Sequence, residues 1–472
     1  MKPKLKVFEN FSESILPHEA HYLSKLSNFQ DVGKLDIFNK VIYNAINPGN
    51  LKEFDDTLDK RKYHYIKSWI EAKLALIDVD KIGNWLLDFK RKLFLDLISA
   101  REEKEILLYV QEYKTIGFNF VNLYEIMKEY RSYLMIRLRY EDHQIIKDFL
   151  ENFESAYEKS RAIQEKLYQA TIDITQQYTS KSTDFIYWEK WLHKVFSSQG
   201  INGSSRYKAF ILLAFLYNSE SNTDKLQKIF DEIDVFFSNG EMYCRRLLYN
   251  YYSSRILLHS KQNDLENAIF YGKLSVRHRN EDTLMYVNNL VSILIRDNQF
   301  IEAKKLLDEH QNKFESSHND YRRITFMSYT IRVLTELNQL QKAENLAVYF
   351  LKKFEEEILN YRWHHFLTSY INVLLKFEKY DQIVELEKRF NLIDREARRK
   401  KKSDYIPNLS WSVLLAKYME NKSSKELMLS QINSTFTDMK VTETNKNFLI
   451  KTSNLLSKNL PELSKLFKSH LV

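Results

Sequence analysis

The chain contains very little proline, glycine and cysteine for its length. Its 472 residues include five prolines, eight glycines and one cysteine, whereas average usage is about 5% proline and 7% glycine. No proline stands between Pro48 and Pro407. Proline breaks helix interiors, whereas tight turns and phosphate-binding loops need glycine. The scarcity therefore favours long helices joined by short polar links and argues against glycine-rich nucleotide-binding loops.

Long apolar runs and targeting signals are also missing. No stretch approaches the roughly 18 uncharged apolar residues of a membrane-spanning helix. The N-terminal segment has an acid as early as Glu9 and no small-residue cleavage site, unlike a secretory signal. A lone Cys244 excludes a disulfide within the chain. We therefore expect a cytoplasmic protein without membrane insertion.

The residues that are present suit a folded helical protein. Hydrophobic residues make up 44% of the chain, which argues against disorder. The net charge of +8 permits nucleic-acid or acidic-protein binding without requiring either. The abundance of Lys, Asn, Ile, Tyr and Phe is typical of an AT-rich bacterial genome. At this length about three domains are expected, unless the chain is a repeat array whose units need only their neighbours.

Apolar residues recur every 40 positions in the second half of the chain. Six columns of three residues follow this period without a gap. They are Val287, Met327 and Leu367; Val291, Ile331 and Ile371; Leu294, Leu334 and Leu374; Phe300, Leu340 and Tyr380; Ala303, Ala343 and Ile383; and Leu306, Leu346 and Leu386. Apolar spacing within each unit predicts a first helix such as 283–296, a polar break at 297–299 and a second helix from Phe300. Each such hairpin leaves an apolar face for the next unit to cover.

The order Val287, Leu290, Leu294, Phe300, Ala303 resembles the tetratricopeptide repeat family. The resemblance covers about residues 207–430. The units are longer than the usual repeat of about 34 residues in this family, and they lack its terminal proline and its first-helix glycine. The resemblance implies an α-solenoid of tetratricopeptide-like (TPR-like) helix hairpins, whose first helices line a concave surface that binds extended peptides.

Residues 1–200 also have helical patterns, but no regular period. Helices are predicted at 35–46, 51–76, 82–98, 102–113, 121–138 and 142–177, and Pro48-Gly49-Asn50 predicts a turn. Two of the eight glycines lie in the segment 200–205. We therefore divide the chain into an irregular helical N-terminal region, 1–200, and a TPR-like α-solenoid with C-terminal capping helices, 201–472.

The sequence contains no established catalytic motif. Nucleotide-binding, zinc-protease and nucleophile-elbow patterns are absent. Asp78-Val-Asp80 begins like a calcium loop, but Ile82 and Phe89 stand where oxygen ligands are needed, so helix-capping aspartates are favoured. Cys244 precedes two arginines that would activate a thiol, although an inert buried thiol is the more common case. We predict no catalytic residues, cofactor or metal site.

The strongest indication of function is a polar stripe on the first helices. In each unit three polar residues at spacing i, i+4, i+8 share one helix face. They are Asn288, Ser292 and Arg296; Ser328, Arg332 and Glu336; and Thr368, Asn372 and Lys376, with His365 on the same polar face. Amides, hydroxyls and arginines in such a groove would hold a peptide backbone or a carboxylate. The alternative is a stripe that is polar only because it faces solvent.

A second surface, rich in basic residues, supports an alternative function. The run comprises Arg395, Arg398, Arg399, Lys400, Lys401 and Lys402. It would contact phosphates or an acidic partner, or it is a solvated helix end. Tyr and Arg residues at 130–140 would stack on bases, or they form a packed interface. We therefore predict an all-α, non-catalytic scaffold that binds a protein or peptide, with a nucleic-acid-associated regulator or defence-system subunit as the alternative. The oligomeric state is left open.

Overall fold

The computed structural model describes residues 5–177, 185–219, 222–277, 280–400, 405–437 and 443–471. Throughout these ranges the regular structure is helical, with no β-strand, so the all-α prediction is confirmed. None of the helices in these ranges combines the length and hydrophobicity that a bilayer crossing requires.

The chain forms two compact units, residues 1–258 and 259–472. The segment 200–205, where the sequence suggested a boundary, lies within the first of these. The helices that begin in the first unit are α1 (Lys6–Ser14), α2 (Pro17–Leu26), α3 (Val32–Ile46), α4 (Lys60–Ile77), α5 (Val79–Phe94), α6 (Ala100–Gln111), α7 (Phe120–Ile136), α8 (Tyr140–Gln177), α9 (Phe185–Ser197), α10 (Gly203–Ser219), α11 (Thr223–Ser238) and α12 (Arg245–Lys261).

The helices of the second unit continue the numbering. They are α13 (Leu265–Ser275), α14 (Thr283–Arg296), α15 (Phe300–Glu309), α16 (Gln311–Ser316), α17 (Asp320–Glu336), α18 (Leu340–Lys353), α19 (Glu355–Glu357), α20 (Trp363–Lys376), α21 (Tyr380–Phe390), α22 (Leu392–Ala397), α23 (Asn408–Met419), α24 (Lys425–Thr437), α25 (Glu443–Asn459) and α26 (Glu462–Leu471). A π-helical turn, Ile358–Arg362, leads into α20.

In the first unit, one predicted helix begins too early. The prediction of a helix at 51–76 is wrong for its first nine residues, because α4 begins at Lys60. Asn44 exchanges two hydrogen bonds with the backbone of Lys52, and these bonds hold the segment in a non-helical conformation. Asp59 then caps α4 by accepting a hydrogen bond from the backbone N–H of Arg61. The predicted turn at Pro48-Gly49-Asn50 is present.

In the second compact unit, residues 259–472, the helices of the three sequence repeats pack side by side. Helix α17 lies between α14 and α20, and each of the three packs on the helix that follows it, α15, α18 or α21. The columns that begin with Val287, Val291, Leu294 and Ala303 are buried in all three units. The predicted limits of the first pair are confirmed, with α14 ending at Arg296 and α15 beginning at Phe300.

The same left-handed turn ends each first helix. Asn298, Asn338 and Glu378 have φ angles of 59°, 58° and 57°. In each turn the next N–H donates to a leucine carbonyl five residues back, at 2.8, 2.8 and 3.0 Å. This bond satisfies a carbonyl that the helix end leaves open. Asparagine tolerates the left-handed region better than most residues, which explains how a chain with so few glycines makes these turns.

A buried carboxylate joins α22 to α23 in the second unit. Glu396 on α22 is fully buried and accepts hydrogen bonds from the backbone N–H groups of Leu409 and Ser410, at 3.1 and 2.7 Å. It also accepts a bond from the Ser410 hydroxyl and contacts His364 Nε2 at 2.8 Å. Because Leu409 and Ser410 lie in the first turn of α23, the carboxylate caps that helix from a distance and complements its dipole.

Replacing Glu378 with asparagine should stabilise the second unit. A left-handed conformation costs an ordinary L-residue about 1–2 kcal/mol, and Glu378 makes the turn that asparagine makes one unit earlier. We expect Glu378→Asn to raise the unfolding free energy by about 0.5–1 kcal/mol, measured by urea denaturation. Glu385→Asn, at an exposed position within α21, is the control and should not stabilise. No gain from Glu378→Asn would contradict this account of the turn.

Replacing Glu396 with glutamine should destabilise the second unit. The amide cannot accept all the hydrogen bonds that the carboxylate accepts, and hydrogen bonds to charged groups contribute about 1.5–3 kcal/mol. We expect Glu396→Gln to lose about 2–3 kcal/mol in urea denaturation. Exposed Glu385→Gln should stay within about 0.5 kcal/mol of the parent protein. Equal stability of the two variants would show that Glu396 does not support α23.

Candidate functional site

The first residue of each predicted triplet is occupied in packing the helices together. Asn288 is buried, and its amide donates a 2.9 Å hydrogen bond to the Arg322 carbonyl oxygen. Ser328 is also buried and donates to the Ile324 carbonyl oxygen of its own helix. Thr368 accepts a 2.9 Å bond from the Asn408 amide. These three positions therefore contribute to helix packing and internal bonding, although the sequence suggested a surface stripe.

The last residue of each triplet lies at the end of its helix and bonds to a neighbouring helix. Arg296 donates a 3.2 Å hydrogen bond to the Ser260 carbonyl oxygen. Lys376 donates to the Thr335 carbonyl oxygen at 3.1 Å and pairs with Glu336 at 3.2 Å. These contacts link adjacent first helices and fix their register.

Between these two rows lies a half-buried polar face, formed by Ser292, Tyr329, Arg332, His365 and Asn372. The rings of Tyr329 and His365 meet edge to face with their centroids 5.0 Å apart. Ser292 is a hydrogen-bonding neighbour of the Tyr329 hydroxyl. The middle members of the three triplets are therefore half-buried like His365 and Tyr329, and Tyr329 is a residue that the triplets did not include.

Arg362 belongs to this face although it lies outside the three polar triplets. The column at its position contains Asp282, Arg322 and Arg362, one from each unit. Arg322 pairs with Asp282 one unit earlier, at 2.9 Å. One unit before Arg362, the same position holds Arg322 rather than an acid. The Arg362 guanidinium instead lies 4.1 Å from the centre of the Tyr321 ring. The 40-residue period of the sequence is sufficient to show that no acid stands at the same position one unit before this arginine.

Lys451 reaches the same region from the C-terminal part of the chain. Its ammonium donates to the Asn298 side-chain oxygen at 3.3 Å, and Tyr380 donates to Asn459 at 2.9 Å. Helix α25 therefore runs past the turn after α14 and reaches the start of α21. No periodic pattern includes residue 451, so the sequence offered no indication of this contact.

Burial and neighbouring positive charges disfavour the protonated, cationic forms of side chains in this region. Burial lowers the pKa of the Arg332 guanidinium. Partial desolvation, followed by the charges of Arg332 and Arg296, lowers the pKa of Lys451, with Glu336 acting in the opposite direction. The pKa of His365 falls to about 3, because burial and then the charges of Arg362 and Arg332 disfavour the imidazolium. His365 is therefore neutral at physiological pH.

The basic run is only partly described. Arg395 is half-buried on α22, Arg398 and Lys400 are exposed, and Arg399 is half-buried in the turn that follows the helix. Lys401 and Lys402 lie outside the described residues. The buried Glu396 within this run caps α23, as described above, so the described part of the run is a helix end with a structural carboxylate inside it.

The Tyr and Arg residues at 130–140 are largely engaged with their own unit. Tyr130 is buried, with its ring edge to face with Phe89 at 5.2 Å. Arg137 pairs with Asp96 at 2.6 Å and lies over the Tyr133 ring. Arg139 forms ion pairs with Glu103 and Asp142. These contacts correspond to the packed interface that the sequence analysis gave as the alternative to base stacking.

The remaining candidates for chemistry have structural contacts. Cys244 is buried, and burial raises the pKa of its thiol, so the arginines beside it do not activate it. Asp78 accepts hydrogen bonds from the backbone N–H groups of Asp80 and Lys81 and caps α5, as predicted. Within the part of the chain that the structure describes, no three or more His, Cys, Asp or Glu residues are grouped to hold a metal ion.

No protein-family model matches this chain, and neither a curated protein nor a solved structure is significantly similar to it.

Acid should destabilise the protein partly through His365. Its pKa is about 3 in the folded state and 6.5 in an unfolded chain, so the unfolded state binds more protons between these values. Stability therefore falls as the pH drops below 6.5, by up to about 1.4 kcal/mol per pH unit. We expect His365→Phe, which keeps a ring against Tyr329, to lose about 1.5 kcal/mol less than the parent protein between pH 6.5 and pH 5.

Urea denaturation at the two pH values measures this difference. His318→Gln, at an exposed position in the same unit, controls for the loss of an imidazole. If the parent protein and His365→Phe show parallel pH dependence, the depressed pKa of His365 is wrong.

Proposed function

We propose that this protein is a non-catalytic scaffold that binds a protein or peptide partner. In this proposal the second unit is an α-solenoid of TPR-like hairpins, and the partner lies on the polar face of α14, α17 and α20. The observation that carries the proposal is the side-by-side packing of these three first helices, which brings Ser292, Arg332 and Asn372 onto one face at equivalent positions.

Two further features support a binding function. Among the half-buried residues of this face, no nucleophile lies beside a general base. The Nε2 atom of His365 is buried and has no hydrogen-bond partner, so it activates no hydroxyl there. The groups available there are amides, hydroxyls and cations, which hold ligands by hydrogen bonds and charge. An extended face of this kind suits a long ligand better than a small substrate that must be enclosed.

Asn372→Arg should abolish partner capture. The larger cationic side chain at this half-buried position would occupy space on the proposed binding face and clash with a bound peptide backbone. The matched control is Gln382→Arg, which makes the same change of charge at a half-buried position on the second helix α21. The measurement is native affinity purification from the source cell, with and without nuclease, followed by mass spectrometry and nucleic-acid staining.

The expected result is a stoichiometric protein that survives nuclease, is retained by Gln382→Arg and is lost with Asn372→Arg. Capture that both variants retain would exclude this face as the binding surface. Recovery of nucleic acid in place of protein, with loss at high salt, would contradict the proposal and favour the basic run at 395–402.

A further inference from the structure

The polar face carries three cations that lack acidic partners. Within the described ranges, no carboxylate lies at ion-pair distance from Arg332, Arg362 or Lys451. The charge of Glu336 acts on Arg332 and Lys451, but Lys376 already pairs with this acid at 3.2 Å. On α17 the two other basic residues are paired, since Arg322 contacts Asp282 and Arg323 contacts Asp320.

The positions of these cations define an extended site. Arg332 lies one helical turn after Tyr329, and Arg362 lies one turn before His365, so the two arginines flank the Tyr329–His365 ring pair on opposite sides. Both are half-buried, and neither is closed off from solvent. Lys451 extends the positive charge toward the turn at Asn298. The site is therefore a row of cations along the face, with an aromatic pair between two of them.

Like charges near one another disfavour each other's charged form, and a bound anion relieves this repulsion. Three cations in a row exceed what one carboxylate neutralises, whereas a phosphoryl group carries about −1.5 to −2 charges at neutral pH. Guanidinium groups match phosphate oxygens in a bidentate geometry, and a lysine ammonium adds a point charge. A second phosphoryl group would match the spread of the three cations.

We propose that Arg332, Arg362 and Lys451 form a binding site for a ligand that carries phosphoryl groups. This proposal rests on the proposed function, because it names the chemistry that the same face recognises. The phosphoryl groups come either from a phosphorylated partner chain or from a small phosphorylated molecule, and the recognition chemistry is the same in both cases.

Isothermal titration of the full-length protein with pyrophosphate at low ionic strength tests this proposal directly. We expect saturable binding with a stoichiometry near one, weakened at least about tenfold by Arg332→Gln and by Arg362→Gln. Lys305→Gln removes the same charge at an exposed site on α15 and should leave the affinity within about twofold. Urea denaturation of each variant verifies that it is folded.

Absence of saturable binding by the parent protein overturns the proposal whether or not the variants fold. Binding that both arginine variants retain also overturns it, and so does a tricarboxylate that binds as tightly as pyrophosphate. Phosphatase treatment of the captured partner then separates the two sources. Loss of capture assigns the phosphoryl groups to the partner, and unchanged capture assigns them to a small ligand.

The two proposals fail in different ways. If pyrophosphate does not bind but Asn372→Arg still abolishes capture, the phosphoryl site is wrong and the binding function stands. If pyrophosphate binds and capture is insensitive to Asn372→Arg, the anion site is real and the partner-binding face is wrong.

Discussion

The second unit depends on one backbone constraint, the left-handed residue that ends each first helix. At Asn298, Asn338 and Glu378 the chain leaves the helix through the same conformation, and an N–H of the turn bonds to a leucine carbonyl five residues back. Because the turn is the same each time, the second helix begins at an equivalent position in each unit. The apolar columns can then stay in register from one unit to the next, and the first helices can lie side by side.

This constraint also explains the placement of charge. With the units in register, a basic residue can pair with an acid at the same position of the preceding unit, as Arg322 pairs with Asp282. Lys376 pairs with Glu336 by the same rule. Arg362 has Arg322 in that place, so the repeat itself leaves it without an acid. The missing acid at Arg362 therefore follows from the arginine that stands one unit earlier, and a bound anion would take the place of that acid.

The sequence predicted the helix limits and buried positions that follow from the repeat period, and it missed contacts between residues that are not related by that period. The limits of α14, the start of α15, the polar break between them and the buried columns followed from apolar spacing. The late start of α4 did not, because Asn44 holds residue 52 through tertiary hydrogen bonds that no local pattern reveals. Lys451 was missed for the same reason, since its contact with Asn298 joins residues 153 positions apart.

The polar stripe shows where spacing alone is insufficient. Residues at i, i+4 and i+8 share a helix face, but the next helix covers part of that face. Asn288 and Ser328 are buried near the beginning of the stripe, Arg296 and Glu336 are exposed at its end, and Arg332 lies between these extremes. The middle row is half-buried, so a ligand can reach it while burial restricts the motion of its side chains. Preorganised groups lose less freedom on binding than mobile surface side chains, so this row is where ligand recognition is physically favoured.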